Sequence, residues 1–281
     1  MASKATSFST GFGDQSFEII SSGRHRLDLA GFLFGDFPGT TSSEQPRRYE
    51  IVAFGKQPML SLWNDEKILY YGQSYYQLAY TLMNEVIFHC INSHDKHHAL
   101  HAGCVHNGNS CFLLPGKSGS GKSSLTGWLI ANGYGYLTDE LAFLSADGQI
   151  HPLPRPISLK VNSSHPAWPA AATQADGIIS DTTGAMIPHR LLNPAYEACE
   201  PRVTHIIFPK FKAGAESELT ELSPAKSSLR LLESHVNARN LDGHGIAELS
   251  NIVRQCQSFS LVYSSFEELR DIFLTPSGQL Q

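Results

Sequence analysis

The segment Gly116-Lys-Ser-Gly-Ser-Gly-Lys-Ser123 contains the residues of this sequence best suited to chemistry. It satisfies the pattern G-x-x-x-x-G-K-[ST], in which backbone N–H groups surround nucleotide phosphates, the lysine reaches the terminal phosphates and the hydroxyl holds Mg²⁺. A chain of this composition should match that pattern by chance about 0.01 times. The sequence therefore predicts a site for the phosphates of a nucleotide and for Mg²⁺.

The elements around this segment agree with a phosphate-binding loop. Cys111-Phe-Leu-Leu-Pro115 reads as a short buried strand, and Leu125 to Asn132 has helical apolar spacing that Gly133 should end. A flexible Gly/Ser linker, the alternative, needs neither element. The residues expected to contact the nucleotide are Gly116, Lys117, Ser118, Gly119, Ser120, Gly121, Lys122, Ser123 and Ser124.

Two adjacent acids, Asp139 and Glu140, follow Lys122 by 17 and 18 residues, in a segment predicted to be a strand from Tyr136 to Leu144. Neighbouring strand residues point to opposite faces, so the two acids should have different roles unless the strand ends there. Phosphate transfer to a hydroxyl needs one carboxylate to accept the proton and another contact to hold Mg²⁺. A solvated turn is the alternative for such a pair.

The whole sequence indicates an α/β fold with an N-terminal α+β region at 1–95 and a P-loop domain at 96–281. Leu29 to Phe34 reads as a short strand, and Tyr75 to Asn92 as a helix. Residues 162–200 are rich in Ala, Pro, Ser and Gly and should be largely irregular. The later predicted elements are a strand at Thr204–Pro209, a helix from Ser223-Pro224, a helix at Ile246–Val253, a strand at Phe259–Tyr263 and a last helix from the capping box at Ser265.

The composition argues against nucleic acid and membranes as partners of this protein. With 41% hydrophobic and 17% charged residues and a formal net charge of −5, the 281-residue chain is typical of a globular protein. Its dispersed Lys and Arg argue against nucleic-acid binding, which needs a clustered basic surface. The sequence has no apolar run long enough for a membrane span and no signal peptide, so we expect a cytoplasmic protein without membrane contacts.

Several blocks in order resemble the HPr kinase-related kinases, relatives of the catalytic domain of bacterial HPr kinase/phosphorylase. The matching blocks are Leu100-His-Ala-Gly-Cys-Val105, Leu113-Leu-Pro-Gly-Lys-Ser-Gly-Ser-Gly-Lys-Ser-Ser124, Leu137-Thr-Asp-Glu140, Pro154-Arg-Pro-Ile-Ser-Leu-Lys160 and Ile206-Ile-Phe-Pro-Lys-Phe211. They span about residues 100 to 281, whereas residues 1–99 match only loosely.

The resemblance implies an ATP-dependent serine kinase with a fold similar to phosphoenolpyruvate carboxykinase, in which helices flank a mixed central sheet. Asp139 would then be the general base, Lys122 would neutralise developing charge, and Ser123 with Glu140 would hold Mg²⁺. His101 matches a histidine near the active site of the family, although a purely structural role is an alternative. The related kinases include enzymes that phosphorylate lasso-peptide precursors, so a peptide or protein bearing an acceptor serine is the expected partner, and a homo-oligomer is possible.

The sequence leaves other functions open. A nucleotide-dependent switch or NTPase without a hydroxyl acceptor would share the loop, and a small hydroxylated metabolite could replace the peptide. Arg155 and Lys160 could meet phosphate or acceptor, or be solvated. Thr183 stands where related kinases often carry a lysine, which removes that contact.

A cluster of five histidines invites a zinc interpretation, but it has neither paired cysteines nor an acid in H-E-x-x-H register. We therefore expect these histidines to be solvated and clustered by chance. They are His94, His97, His98, His101 and His106.

Overall fold

The computed structural model describes residues 5–23, 28–40, 45–55, 59–160 and 177–274, which form an α/β structure with several mixed sheets. The strands are β1 (Thr6–Phe12), β2 (Gln15–Gly23), β3 (Arg47–Phe54), β4 (Met59–Asn64), β5 (Lys67–Gly72), β6 (His98–Leu100), β7 (Ala102–Asn107), β8 (Ser110–Pro115), β9 (Gly135–Thr138), β10 (Ala142–Leu144), β11 (Ile150–His151), β12 (Ile157–Lys160), β13 (Ile179–Ser180), β14 (Gly184–Ile187), β15 (His205–Phe211), β16 (Glu218–Glu221) and β17 (Gln257–Tyr263). The α-helices are α1 (Leu29–Phe34), α2 (Tyr75–Ser93), α3 (Lys122–Ala131), α4 (His189–Leu192), α5 (Pro224–Leu232), α6 (Ile246–Gln255) and α7 (Arg270–Phe273).

The largest sheet has six strands in the order β16-β17-β15-β8-β7-β9. Strands β8, β15 and β17 are parallel, and the other pairings are antiparallel. Alternate residues of β7 and β8 face different hydrophobic clusters: Cys104 and Leu113 pack with α5 and α6, whereas Val105 and Leu114 pack with α3 and α7. Helices therefore cover both faces of the sheet, as the sequence predicted.

A second sheet, β1-β2-β3-β4-β5, lies in the N-terminal region, where only β2 and β3 pair in parallel. Helix α2 packs on it through the fully buried Leu78, Leu82 and Val86, which confirms the helix predicted from this spacing. The same hydrophobic cluster includes Phe143 and Leu153, which belong to the later part of the chain. The division between 1–95 and 96–281 stays a prediction.

Two predicted elements differ from the structure near the ends of the chain. The segment Leu29–Phe34 is a helix, because Asp28 caps it by accepting the Gly31 N–H at 3.0 Å and its buried residues recur at helical spacing. The last predicted helix is present, but α7 begins at Arg270 and has four residues, and Glu268 accepts the Ser217 N–H at 3.0 Å instead of closing a capping box.

Two smaller sheets complete the fold, in the orders β11-β10-β6 and β12-β14-β13. Of the stretch expected to be irregular, 162–176 lies outside the described residues, and 177–200 contains β13, β14 and α4. In the described part of the chain, each helix is too short or too polar to cross a membrane.

Asn237 joins the C-terminal part of the chain to the segment that leads to His101. Its buried side chain accepts the Ala99 N–H at 2.8 Å and donates to the carbonyls of His94 and His97 at 3.0 and 2.9 Å. We predict that Asn237→Ala lowers the free energy of unfolding by about 2 to 4 kcal/mol, because it leaves buried backbone groups unpaired.

Chemical denaturation measures this loss, with Asn251→Ala on the exposed face of α6 as the matched control. The control should cost less than about 0.5 kcal/mol. Equal losses for the two variants would contradict the role of Asn237.

Candidate functional site

The predicted phosphate loop connects β8 to α3 at the carboxyl ends of the parallel strands. The Ser120 carbonyl accepts the Phe211 N–H at 2.8 Å, and the Gly121 carbonyl accepts the Tyr263 hydroxyl at 2.9 Å. The last residues of β15 and β17 therefore fix the position of the loop by hydrogen bonds to its backbone. Open α/β sheets bind their ligands at this edge.

The glycines of the loop are required by its backbone. Gly119 and Gly121 have φ of +85° and +92°, and a Cβ on Gly121 would lie 2.3 Å from the Tyr263 hydroxyl oxygen. Helix α3 begins at Lys122, so its first N–H groups have no acceptor within the helix and its positive end faces the loop. The buried Ser120 hydroxyl has no hydrogen-bond partner among the described residues. This arrangement fits a phosphate group.

Lys122, Glu140 and His101 form one connected polar cluster. The Lys122 Nζ donates to Glu140 Oε2 at 3.1 Å, and the other carboxylate oxygen lies 2.7 Å from His101 Nε2. The His101 carbonyl also accepts the N–H of Gly116, the first loop residue, at 3.4 Å. The structure thus brings together three residues that the sequence singled out separately.

The two acids lie in a tight turn between β9 and β10, which corrects the prediction that they are embedded in a strand. The strand ends at Thr138, whose hydroxyl lies 2.7 Å from the Leu141 carbonyl and so closes the turn. Glu140 has a φ of +91°, a left-handed conformation that is rare for a residue with a side chain. The turn lets both acids face the loop region.

Asp139 is fully buried, and neither carboxylate oxygen has a hydrogen-bond partner among the described residues. Burial and the neighbouring Glu140 raise the pKa of Asp139, although the charges of Lys122 and Arg155 act in the opposite direction. A carboxylate with a raised pKa is better matched to accepting a proton near neutral pH.

Glu140 has the opposite electrostatic character. Burial alone would raise its pKa, but the hydrogen bond with His101 and the charges of Lys122 and Arg155 outweigh burial and hold the pKa well below its ordinary value. Its side chain is 43% exposed and lines the cleft beside Ser123. A permanently ionised carboxylate and a hydroxyl at this place suit the ligand chemistry of Mg²⁺.

The cleft over the loop has a cavity volume of about 200 Å³ and a wall that the sequence did not predict. Tyr76, Tyr80 and Asn84 of α2 line it opposite the loop, and the rings of Tyr76 and Tyr80 stack with centroids 6.1 Å apart. The sequence reveals no signal for this wall, because its three residues precede Gly116 by 32 to 40 positions and form no motif.

The other cations of the predicted site have different environments. Arg155 lines the cleft and is only 3% exposed, which excludes the solvated alternative. Lys160 donates to the Ser118 hydroxyl at 2.9 Å, and Lys117 pairs with Glu233 at 2.9 Å.

Thr183 donates to Asp181 at 2.6 Å, in the turn that packs against the start of α2.

The expectation of solvated histidines was wrong for two of them. His94 is buried with its Nε2 2.7 Å from His97 Nδ1, and the buried His98 lies 2.8 Å from Glu248. Among the described residues, no group of three or more His, Cys, Asp or Glu side chains is arranged to hold a metal ion.

Gly103 is a residue of the site to which the sequence assigned no role. A Cβ there would lie 2.3 Å from the Thr126 hydroxyl oxygen of α3 and 3.5 Å from an Asp139 carboxylate oxygen. The strand β7 therefore approaches α3 beside the buried acid at a position that only glycine fits. A glycine inside an apolar strand is the signal that could have revealed this contact.

We predict that Gly103→Ala lowers the free energy of unfolding by about 1 to 3 kcal/mol, because the new methyl group overlaps Thr126. Chemical denaturation measures the loss. The double variant Gly103→Ala/Thr126→Ala removes the overlapping oxygen and should recover most of it. A double variant no more stable than the single one would show that the overlap is not the cause.

No protein-family model matches the chain, and no curated protein matches it significantly. The argument for function therefore depends on the geometry of the site.

Proposed function

We propose that this protein is an ATP-dependent kinase that transfers the γ-phosphate to a hydroxyl, most simply a serine of a small peptide or protein. In this proposal the chain has a P-loop fold of the HPr kinase type. The loop from Gly116 to Ser124 binds the phosphates, Lys122 neutralises developing charge, Asp139 is the general base, and Ser123 with Glu140 holds Mg²⁺.

The observation that carries the proposal is the position of the two acids beside the phosphate loop: Glu140 accepts from Lys122 Nζ at 3.1 Å and lines the cleft with Ser123, and the adjacent Asp139 is fully buried. Asp139 has a raised pKa, and Glu140, which bonds to Lys122, has a lowered one. Two carboxylates whose environments separate their pKa values are suited to separate roles in proton transfer and charge stabilisation.

The polar cluster supports a mechanism in which binding of ATP breaks the contact between Lys122 and Glu140 and so makes Asp139 accessible. Lys122 is 5% exposed and bonds to Glu140, above the shielded Asp139. The terminal phosphates of ATP would compete with Glu140 for Lys122, because a lysine at this position of the loop reaches those oxygens. Glu140 would then be free for Mg²⁺, which lowers the negative charge on the phosphates when bound.

Transfer then needs one proton movement and one exchange of bonds at phosphorus. The acceptor hydroxyl passes its proton to Asp139 as its oxygen bonds to the γ-phosphorus. The bond from phosphorus to ADP breaks, and ADP keeps the electron pair. His101 keeps Glu140 oriented through the 2.7 Å contact with its carboxylate.

The test is incubation of the protein with γ-labelled ATP, Mg²⁺ and serine-containing peptides encoded by neighbouring genes. We expect label on a peptide and none on the matched peptide in which that serine is alanine. Label only as free phosphate would contradict the kinase proposal in favour of an NTPase or switch. Label on a small hydroxylated metabolite would retain the kinase but replace its acceptor.

A further inference from the structure

Arg155 is a buried cation without an anionic partner in hydrogen-bond contact. Its side chain is 3% exposed, its Nη2 donates to the Ser158 hydroxyl at 3.0 Å, and its Nε donates to the Pro156 carbonyl at 3.4 Å. The Nη1 group has no partner among the described residues, and none of their carboxylates forms an ion pair with Arg155. A buried guanidinium is expected to be paired, so this one is arranged for an anion that binds.

The position of Arg155 indicates which kind of anion would bind to it. It lines the same cleft as Lys122, Ser123 and Glu140. It also lies close enough to Asp139, Glu140 and Tyr76 to act on the charge of each. Arg155 is thus near both the acid pair and Tyr76 of the α2 wall, and it lines the same cleft as the phosphate loop.

Two contacts hold the guanidinium in place. The Pro156 carbonyl accepts from Nε at 3.4 Å, and the Ser158 hydroxyl of β12 accepts from Nη2 at 3.0 Å. The free nitrogen is therefore pre-oriented, and its interaction with a ligand costs little side-chain entropy.

We propose that Arg155 is a further catalytic residue, which donates from Nη1 to the phosphoryl group in transfer and makes the site prefer a triphosphate to a diphosphate. This inference rests on the proposed function. The group in transfer must lie near both Lys122 and the acids, and among the described residues Lys122 and Arg155 are the buried cations that line the cleft.

The contact supports the transfer without adding a step to it. While the acceptor oxygen bonds to phosphorus and the bond to the leaving diphosphate breaks, negative charge spreads over the three other oxygens of the phosphoryl group. A fixed N–H donor aimed at one of them stabilises that charge. The proton of the acceptor still passes to Asp139, and ADP still leaves with the electron pair.

The test measures the affinities of Mg²⁺-ADP and of a Mg²⁺-bound non-hydrolysable ATP analogue by calorimetry. In Arg155→Met we expect the preference for the triphosphate to fall by about tenfold or more, while the affinity for ADP stays within about twofold. Arg155→Lys should keep part of the preference. Arg254→Met, which removes an exposed arginine of α6, should change neither affinity.

A second variant covers the case in which Arg155→Met fails to fold. Ser158→Ala keeps the arginine but removes a contact that positions it, so it should reduce the preference for the triphosphate by a smaller factor. Its melting temperature should stay close to that of the wild type, because Ser158 is only half-buried.

Two results would overturn the inference while the proposed function stands. Equal loss of affinity for both nucleotides would indicate a structural role. An unchanged preference together with a raised KM for the acceptor would show that Arg155 binds an anionic group of the acceptor. A wild-type protein that binds neither nucleotide would refute the proposed function and this inference with it.

Discussion

Replacing Asp139 with asparagine should lower the rate of phosphate transfer by about 10²- to 10⁴-fold, the usual contribution of a general base. The affinity for Mg²⁺-ATP should stay close to that of the wild type, because the buried carboxylate is not among the residues that line the cleft. Single-turnover transfer and calorimetry measure the two quantities separately.

The pH dependence follows from the raised pKa of Asp139. The base accepts a proton only when it is ionised, so transfer by the wild type should fall as the pH drops through a value above the ordinary pKa of aspartate. In Asp139→Asn the residual rate should lose this step. The pH dependence of the transfer rate therefore tests whether Asp139 is the base. Replacing an aspartate with a merely structural role would leave that pH dependence unchanged.

The same substitution should make the protein more stable at neutral pH. The raised pKa means that burial disfavours the ionised form, so this contribution to stability is present at low pH and is lost as the pH rises through the folded-state pKa. Asparagine avoids the charge, so we expect the free energy of unfolding at pH 7 to rise. The exposed Asp95 gives the control Asp95→Asn, which should change neither rate nor stability.

A result in the opposite direction would remove Asp139 from the mechanism. If Asp139→Asn transferred phosphate at the wild-type rate, the buried carboxylate could not be the proton acceptor. If it lost both transfer and nucleotide binding with a lower melting temperature, its role would be structural.

Replacing Lys122 with methionine should have the second large effect. The wild-type ammonium group is buried and lies 3.1 Å from Glu140, at the start of α3. Methionine keeps most of the side-chain volume but removes the charge, so we expect kcat/KM to fall by about 10³-fold and the affinity for Mg²⁺-ATP to fall by about tenfold or more. Steady-state kinetics and calorimetry measure both losses.

The control for this variant is Lys226→Met, on the exposed surface of α5. It removes the same charge from the chain and should leave both parameters unchanged. If Lys122→Met bound Mg²⁺-ATP as tightly as the wild type and still transferred phosphate, the phosphate loop would not be the nucleotide site.

The sequence was sufficient to predict the loop and its neighbours because their signals are local. Glycines with positive φ, a lysine and serines at fixed spacing, and apolar residues at helical spacing all lie within about 30 residues. The helix of Leu29–Phe34 shows the limit of that reasoning. Its apolar residues fit either element, and the N-cap contact from Asp28 decided between them.

The environment of the site depends on contacts that are distant in sequence. The turn that aims Asp139 and Glu140 depends on Thr138 and on the start of β10. The wall of α2 and the burial of Arg155 depend on how the N-terminal sheet packs against the later elements. Neither hydrophobic periodicity nor a local motif predicts contacts between residues that are so far apart in the sequence.

The most direct test of the central claim is a crystal structure with a non-hydrolysable ATP analogue and Mg²⁺. The account predicts that the phosphates lie on the N–H groups at the start of α3 and that Lys122 leaves Glu140, now 3.1 Å away, for the terminal phosphates. It also predicts that an Asp139 oxygen then faces the γ-phosphate. An analogue bound elsewhere, or bound while Lys122 still pairs with Glu140, would contradict the account.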